Sequence, residues 1–162
     1  MPDAIDEAAG LAAGSAVHAL RRERPEIVRL SQTSFDAALR PKDPGTFSRA
    51  ERAALAERMA RHFEDARLAA TYAEFLAAED AGPGVRALAD PAAPAPSDAR
   101  LAAVLRHVDL VTLTPEAATA GNIDRLKDAG LDDRDIVTLA GLIAFVNYQI
   151  RVAAGLRMLE AR

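Results

Sequence analysis

The most informative absence in this sequence is cysteine, which occurs at none of its 162 positions. Without a thiol, these residues cannot form a disulfide, bind a metal through thiolates or use a cysteine nucleophile. Tryptophan is also absent, and aromatic residues make up only 4% of the chain. The core must therefore come from aliphatic side chains, and thiol redox chemistry is excluded for these 162 residues.

A strong positive charge is also absent, since the formal net charge is −4. The one basic cluster, "HALRRERPE" at residues 18–26, interleaves arginine with glutamate. Such a mixture is typical of a solvated helix face, so we expect no nucleic-acid partner. The first ten residues show neither a basic nor a long apolar segment of the kind found in signal peptides. No apolar run reaches the roughly 18 uninterrupted residues of a membrane span, so we expect a cytoplasmic protein without a membrane partner.

The residues that are present favour helices. Half of the chain is hydrophobic, alanine, leucine, glutamate and arginine are common, and each of these is a good helix former. No stretch alternates polar and apolar residues as a half-buried strand would. The sequence predicts an all-α protein of one domain over residues 1–162, with an N-terminal helical extension at about 1–45. Proline and glycine predict a linker at about 81–97.

Capping signals predict several helix starts in the first half of the chain. Ser15 can cap one helix, Pro25 suits the first turn of the next, and Ser48 with Glu51 forms an S-x-x-E capping box. The helical segment that follows is one long helix, or two joined near Glu64–Asp65. In the helix from Pro25, one stripe along the surface contains Ile27, Leu30, Ser34 and Ala38.

Similar signals divide the second half. Ser97 is predicted to cap one helix, and Thr114–Glu116 is predicted to begin another. That helix should end at Gly130, where glycine suits a left-handed C-cap. Asp132 can then cap a final helix of nearly thirty residues, and acidic residues at its N-terminus are explained by the helix dipole.

Candidate chemical sites are few. The three histidines, His18, His62 and His107, fall on three predicted helices without a metal-ligand spacing. Of His62, Glu64 and Asp65, only His62 and Asp65 come close to sharing a helix face, so a charge cluster at a helix end explains them better than a metal site. The sequence contains no nucleophile elbow and no phosphate-binding loop. We therefore predict no metal and no cofactor.

Polar residues interrupt the apolar final helix at "AFVNYQIRVAAGL", residues 144–156. Asn147 and Arg151 are four residues apart and share a face, whereas Gln149 faces elsewhere. One interpretation is structural: Asn147 bonds a neighbouring backbone, and Arg151 pairs with a carboxylate across helices or subunits. The other is that Asn147 and Arg151, with the adjacent Tyr148, line a pocket or a subunit interface.

Three segments carry a family resemblance: "GLDDRDIVTLAGLIAFVNYQIRVAAGLRML" at residues 130–159, "TAGNIDRLKDAGL" before it and "FSRAERAAL" at residues 47–55. Together they resemble alkylhydroperoxidase D-like (AhpD-like) and carboxymuconolactone decarboxylase-like proteins, in particular their peroxidase-related branch. In that branch an acidic cap, an apolar helix, an asparagine and an arginine recur in this order, as at Asn147 and Arg151. The resemblance implies an AhpD-like orthogonal helical bundle and a homo-oligomer.

The same resemblance marks what has been lost. The family's redox helix carries E-x11-C-x2-C-x3-H. Aligning this pattern on Glu51 places Phe63 and Ala66 at the cysteine positions and Ala70 at the histidine position. Only Glu51 is kept, and it already has a role in the capping box. Glu51 and His62 are therefore weak catalytic candidates.

These observations favour a catalytically degenerate, cysteine-free protein that acts as an oligomeric structural or binding subunit. Its partner would be a second copy or a cysteine-bearing paralogue. One alternative is a non-redox enzyme, decarboxylase-like or isomerase-like, with a pocket containing Glu51, His62 or Arg151. Another is a protein that binds a small molecule.

Overall fold

The computed structural model describes residues 3–162, which form helices and no strand. A short 3-10 turn at Pro115–Ala117 lies between the seventh and eighth α-helices. In chain order the helices are α1 (Ala4–Ala9), α2 (Ala16–Arg22), α3 (Pro25–Leu39), α4 (Arg49–His62), α5 (Ala66–Ala77), α6 (Pro83–Ala87), α7 (Ala99–Leu113), α8 (Ala120–Asp128) and α9 (Asp133–Glu160). The predicted all-α class is confirmed.

Local capping explains several of these boundaries. The Ser15 hydroxyl accepts a hydrogen bond from the His18 backbone at the start of α2, and Pro25 occupies the first turn of α3. Ser48 and Glu51 form the reciprocal capping box at α4. These helix starts follow the sequence predictions because each depends on groups within one turn of the boundary.

Residues 47–80 form two helices, which is the second of the two predicted alternatives, and these helices are separated where Glu64 takes a positive φ of 54°. Other boundaries differ from the predictions. Asp98, and not Ser97, caps α7 by accepting from the Leu101 backbone. The segment at Thr114–Glu116 forms only a 3-10 turn, and α8 begins later, with Thr119 as its N-cap. In the linker, Pro83 begins the short helix α6.

The core is arranged around α4 and α9. α4 packs against α5, α6, α7 and α9, while α9 also contacts α1, α3, α7 and α8. Fully buried residues of α4 such as Leu55 and Met59 lie in the same cluster as Leu142 and Val146 of α9. Ala4 of α1 and Phe35 of α3 belong to this cluster too. The N-terminal segment therefore contributes to the same core as the rest of the described chain.

Helix α9 determines where the candidate site lies. It begins after Gly130, which has the predicted positive φ, and is capped by Asp132. By length and composition alone it could span a membrane, although buried core helices have the same properties. One side of α9 packs into the core, and the opposite side borders a groove with α3.

Candidate functional site

An open groove of about 720 Å³ runs between α3 and α9. Its volume lies within the roughly 300–1,000 Å³ that is typical of small-molecule sites. Several large apolar side chains line the groove: Ile27, Leu30, Val137, Leu142, Phe145 and Tyr148. Ile27 and Leu30 are each 48% exposed and Val137 is 72% exposed, so the groove exposes apolar surface to solvent.

The two helices run antiparallel along the groove. At one end, the Ser31 hydroxyl of α3 lies 3.0 Å from the Tyr148 hydroxyl of α9. At the other, Asp43 in the loop after α3 lies 3.8 Å from Arg134 in the first turn of α9. The groove is therefore long and asymmetric, with an apolar end near Ile27 and a charged end near Asp43.

Arg52 of α4 lines the charged end and is only 3% exposed. Its Nε donates to the Phe47 carbonyl at 3.0 Å, Nη1 to the Ala38 carbonyl at 2.8 Å and Nη2 to the Pro44 carbonyl at 3.0 Å. These bonds hold the loop between α3 and α4. Burial lowers the pKa of Arg52, and the nearby Glu51 carboxylate opposes that shift.

Gly141 lies in the wall of this groove. A Cβ atom added there would meet no side chain or distant backbone within 4 Å, and the same holds at Gly155 further along α9. Gly141 therefore leaves free space inside the groove, while Gly155 does not line the groove.

Three consecutive residues of α9 point towards three different neighbours. The Asn147 side chain faces α4 and α7. Its Nδ2 lies 3.8 Å from the Met59 sulfur of α4 and donates to the Thr112 hydroxyl of α7 at 3.4 Å and to the Ile143 carbonyl of α9 at 3.0 Å. Tyr148 faces α3 and the groove. Gln149 is 2% exposed, accepts a hydrogen bond from the Tyr72 hydroxyl and donates to the Ala4 carbonyl.

Arg151 is exposed and forms no ion pair within residues 3–162, so the expected pairing across helices is absent there, while pairing across subunits stays a prediction. Its Nη1 donates to the Asn147 side-chain oxygen at 2.8 Å and to the Asn147 carbonyl at 3.1 Å. The guanidinium lies 5.1 Å from the centroid of the Phe63 ring, a cation–π distance. Because α9 leaves Arg151 in solvent, its charge needs no carboxylate partner.

The two weak catalytic candidates lie apart. Glu51 accepts from the Ser48 backbone at 2.7 Å and from Arg100 at 2.7 Å. His62, at the other end of α4, lies 3.0 Å from Asp109, and the same carboxylate receives a two-pronged bond from Arg58. Eleven residues of helix separate Glu51 from His62, or about 16 Å at 1.5 Å per residue. They do not converge on one reacting atom.

No metal-binding cluster of histidine and carboxylate side chains occurs among residues 3–162. His18, His62 and His107 lie on α2, α4 and α7. Asp65 lies near His62 in sequence, but it caps α5 and pairs with Arg157.

The positions aligned with the redox residues fall at the α4–α5 junction. Phe63 is the C-cap of α4, Ala66 begins α5, and Ala70 is an exposed residue of α5. None of these three side chains carries an ionisable or a nucleophilic group. The junction keeps a helix–turn–helix form without any reactive side chain at those positions.

The pocket predicted from the sequence included Tyr148, but it did not include Arg52 or the residues of α3 that line the groove. The stripe containing Ile27 and Leu30 was visible in the sequence, but amphipathicity does not show which neighbour a stripe faces. Arg52 gave no local signal, because its burial depends on the path of the loop over residues 40–47.

Comparison with solved structures relates this architecture to a known fold. A crystal structure described as an uncharacterized peroxidase-related protein from Silicibacter sp. TM1040 superposes with a TM-score of 0.70 and 20% sequence identity. The match covers 81% of this chain and 68% of that one. No protein-family model matches this sequence, and no curated protein matches it. The chain therefore has the helical fold of a peroxidase-related protein, as the resemblance implied, and at this identity the likeness concerns the fold alone.

Proposed function

We propose that this protein is a non-catalytic binding protein on a peroxidase-related fold, and that the α3–α9 groove binds a small apolar molecule. The observation that carries the proposal is the groove itself, which is apolar, of ligand size and bordered by partly exposed Ile27, Leu30 and Val137. Apolar surface of this kind is a frequent mark of binding sites. The absence of cysteine and the separation of Glu51 from His62 support binding over catalysis.

Gly141 allows a direct test of this site. Gly141→Leu places a side chain in the groove without a backbone clash, and Gly155→Leu makes the same change on the same helix outside the groove. Binding would be followed by the fluorescence of the neutral dye Nile red. We expect the wild type and the Gly155→Leu variant to bind the dye, and Gly141→Leu to weaken binding at least about tenfold, which is about 1.4 kcal/mol.

The Gly155→Leu control shows whether a loss of dye binding comes from the groove or from a change in the stability of α9. Both leucines replace a helical glycine, so a change in helix stability affects both variants similarly. Equal dye binding by the two variants would contradict a site in the groove, and so would a wild type that binds no dye.

Self-association is a second candidate function, supported by the exposed apolar residues along α9. Among residues 3–162, the two most exposed large hydrophobic side chains, Val137 at 72% and Met158 at 69%, both lie on this helix. A second copy, or a cysteine-bearing relative, would cover them. Sedimentation velocity should then show a homo-oligomer that Val137→Glu or Met158→Glu dissociates, whereas a monomeric wild type at high concentration would exclude self-association.

A further inference from the structure

We propose that the ligand of the α3–α9 groove is a free amphiphilic carboxylic acid, with its carboxylate at Arg52 and its hydrocarbon chain along the groove. This inference rests on the proposed binding function and adds the chemical class of the ligand. It combines two features that lie at one place: an apolar channel, and a buried cation at one end of it.

Arg52 is a buried cation. Its three hydrogen bonds go to backbone carbonyls, which bear no formal charge. Other largely buried arginines in the described chain are paired: Arg58 binds Asp109, and Arg21 binds Asp3 and Asp6. For Arg52, no carboxylate of residues 3–162 lies within ion-pair distance. The neighbouring Glu51 carboxylate acts on Arg52 through its charge but forms its ion pair with Arg100. A buried charge without a direct ion pair is costly, so an anion at this end of the groove would be stabilised.

Arg52 also has hydrogen-bond donors that its backbone contacts leave unused. A guanidinium has five N–H donors in a fixed fork, and Arg52 directs three of its nitrogens to carbonyls. Nη1 and Nη2 each retain one N–H that no described acceptor uses. Carboxylate is the anion whose geometry suits such a pair of donors. Arg52 lines the groove, which is where these donors would meet a ligand.

The length of the groove along α3 determines the length of the ligand. The charged end lies beside Ala38 and the apolar end beside Ile27, which are eleven residues apart on α3. This corresponds to about 16 Å of helix at 1.5 Å per residue. A straight hydrocarbon chain rises somewhat less per carbon than the helix rises per residue, so a chain of about ten carbons spans most of this distance. Medium-chain acids therefore match the groove.

Two carboxylates near Arg52 oppose the proposal: Glu51, which is already paired with Arg100, and Asp43, which also provides a test. Asp43 lines the same end of the groove, with a side chain that is 78% exposed. Its Oδ1 accepts from the Gly45 backbone at 3.0 Å. Solvent screens an exposed carboxylate of this kind, so its repulsion of a bound anion is weak. Asp43→Asn keeps an oxygen for Gly45 and removes the charge.

The test compares three ligands of equal chain length by isothermal titration: decanoate, decan-1-ol and decylamine. We expect decanoate to bind at least about tenfold more tightly than decan-1-ol, since hydrogen bonds to charged groups are the stronger class. Decylamine should bind more weakly than decan-1-ol. Gly141→Leu should weaken both decanoate and decan-1-ol, and Asp43→Asn should strengthen decanoate alone, by about two- to threefold.

A second measurement tests whether the carboxylate lies beside Arg52 without a substitution of Arg52, whose loss could unfold the loop that it holds. Decanoate would be labelled with carbon-13 at its carboxyl group, and NMR would follow this signal in the bound state as the pH is changed. A cation beside the carboxylate lowers its pKa, so the bound acid should titrate below the free acid.

The outcomes separate the two proposals. Equal affinities for decanoate and decan-1-ol, or a bound pKa at or above the free value, would overturn the role of Arg52 and leave groove binding intact. Failure of all three ligands to bind would overturn the proposed function as well. A wild-type dimer that Gly141→Leu dissociates, with no ligand binding, would assign the groove to a second copy.

Discussion

At the scale of single residues, the chain places its two tyrosines in opposite environments. Tyr72 is fully buried and donates to Gln149, whereas Tyr148 is 40% exposed and faces Ser31 in the groove. The buried hydrogen bond of Tyr72 joins distant parts of the chain, here α5 and α9. Tyr148 lines the groove and remains available to a ligand.

Tyr72→Phe should destabilise the protein more than Tyr148→Phe. The first change leaves the Gln149 oxygen buried without a donor, which costs about 1–3 kcal/mol. The second removes a partly exposed hydrogen bond and should cost less than about 1 kcal/mol. Urea unfolding of both variants measures the difference, and equal midpoints would contradict the buried role of Tyr72.

The stability of the protein should also depend on Tyr72 at high pH. Burial, and secondarily the charge of Asp65, raises the pKa of the Tyr72 hydroxyl, whereas the unfolded side chain titrates at about 10. Above that pH the unfolded state releases a proton that the native state keeps, so the free energy of unfolding falls as pH rises. The wild type should lose more stability between about pH 9 and pH 11 than Tyr72→Phe. Parallel profiles would contradict this account.

At the scale of elements, sequence-based prediction succeeded where the cause was local. The caps at Ser15 and Asp132 and the left-handed Gly130 depend on a single turn each. It failed at Ser97, because the adjacent Asp98 is an equally good cap. The α3–α9 groove could not be predicted, because it depends on which helices become neighbours across more than a hundred residues.

The α4–α5 junction allows a test at this scale. Glu64 has a φ of 54°, a conformation that is unfavourable for residues with a Cβ and accessible to glycine. Glu64→Gly should therefore raise the free energy of unfolding by up to about 1 kcal/mol. Glu64→Ala keeps the Cβ and should give no gain. Chemical denaturation measures both variants, and the dependence of the free energy of unfolding on denaturant concentration should stay unchanged. A destabilised glycine variant would contradict the claim that the backbone at Glu64 is strained.

At the scale of the whole molecule, the chain shares its fold with a peroxidase-related protein, and its 162 residues contain no cysteine thiol. Folds carry many functions, so the groove is a better guide to function than the neighbour's description. The purified protein should not turn over an organic hydroperoxide with a dithiol reductant above the uncatalysed rate. Saturable turnover would contradict a purely binding role.

The most direct test of the central claim is to locate a bound neutral ligand by NMR. With decan-1-ol and protein labelled at its isoleucine, leucine and valine methyl groups, we expect intermolecular NOEs to Ile27, Leu30 and Val137, which line the groove. Leu113 and Leu159 are also exposed but lie outside it, and should show none. NOEs confined to Leu113 or Leu159, or no NOEs at saturating ligand, would contradict the α3–α9 groove as the binding site.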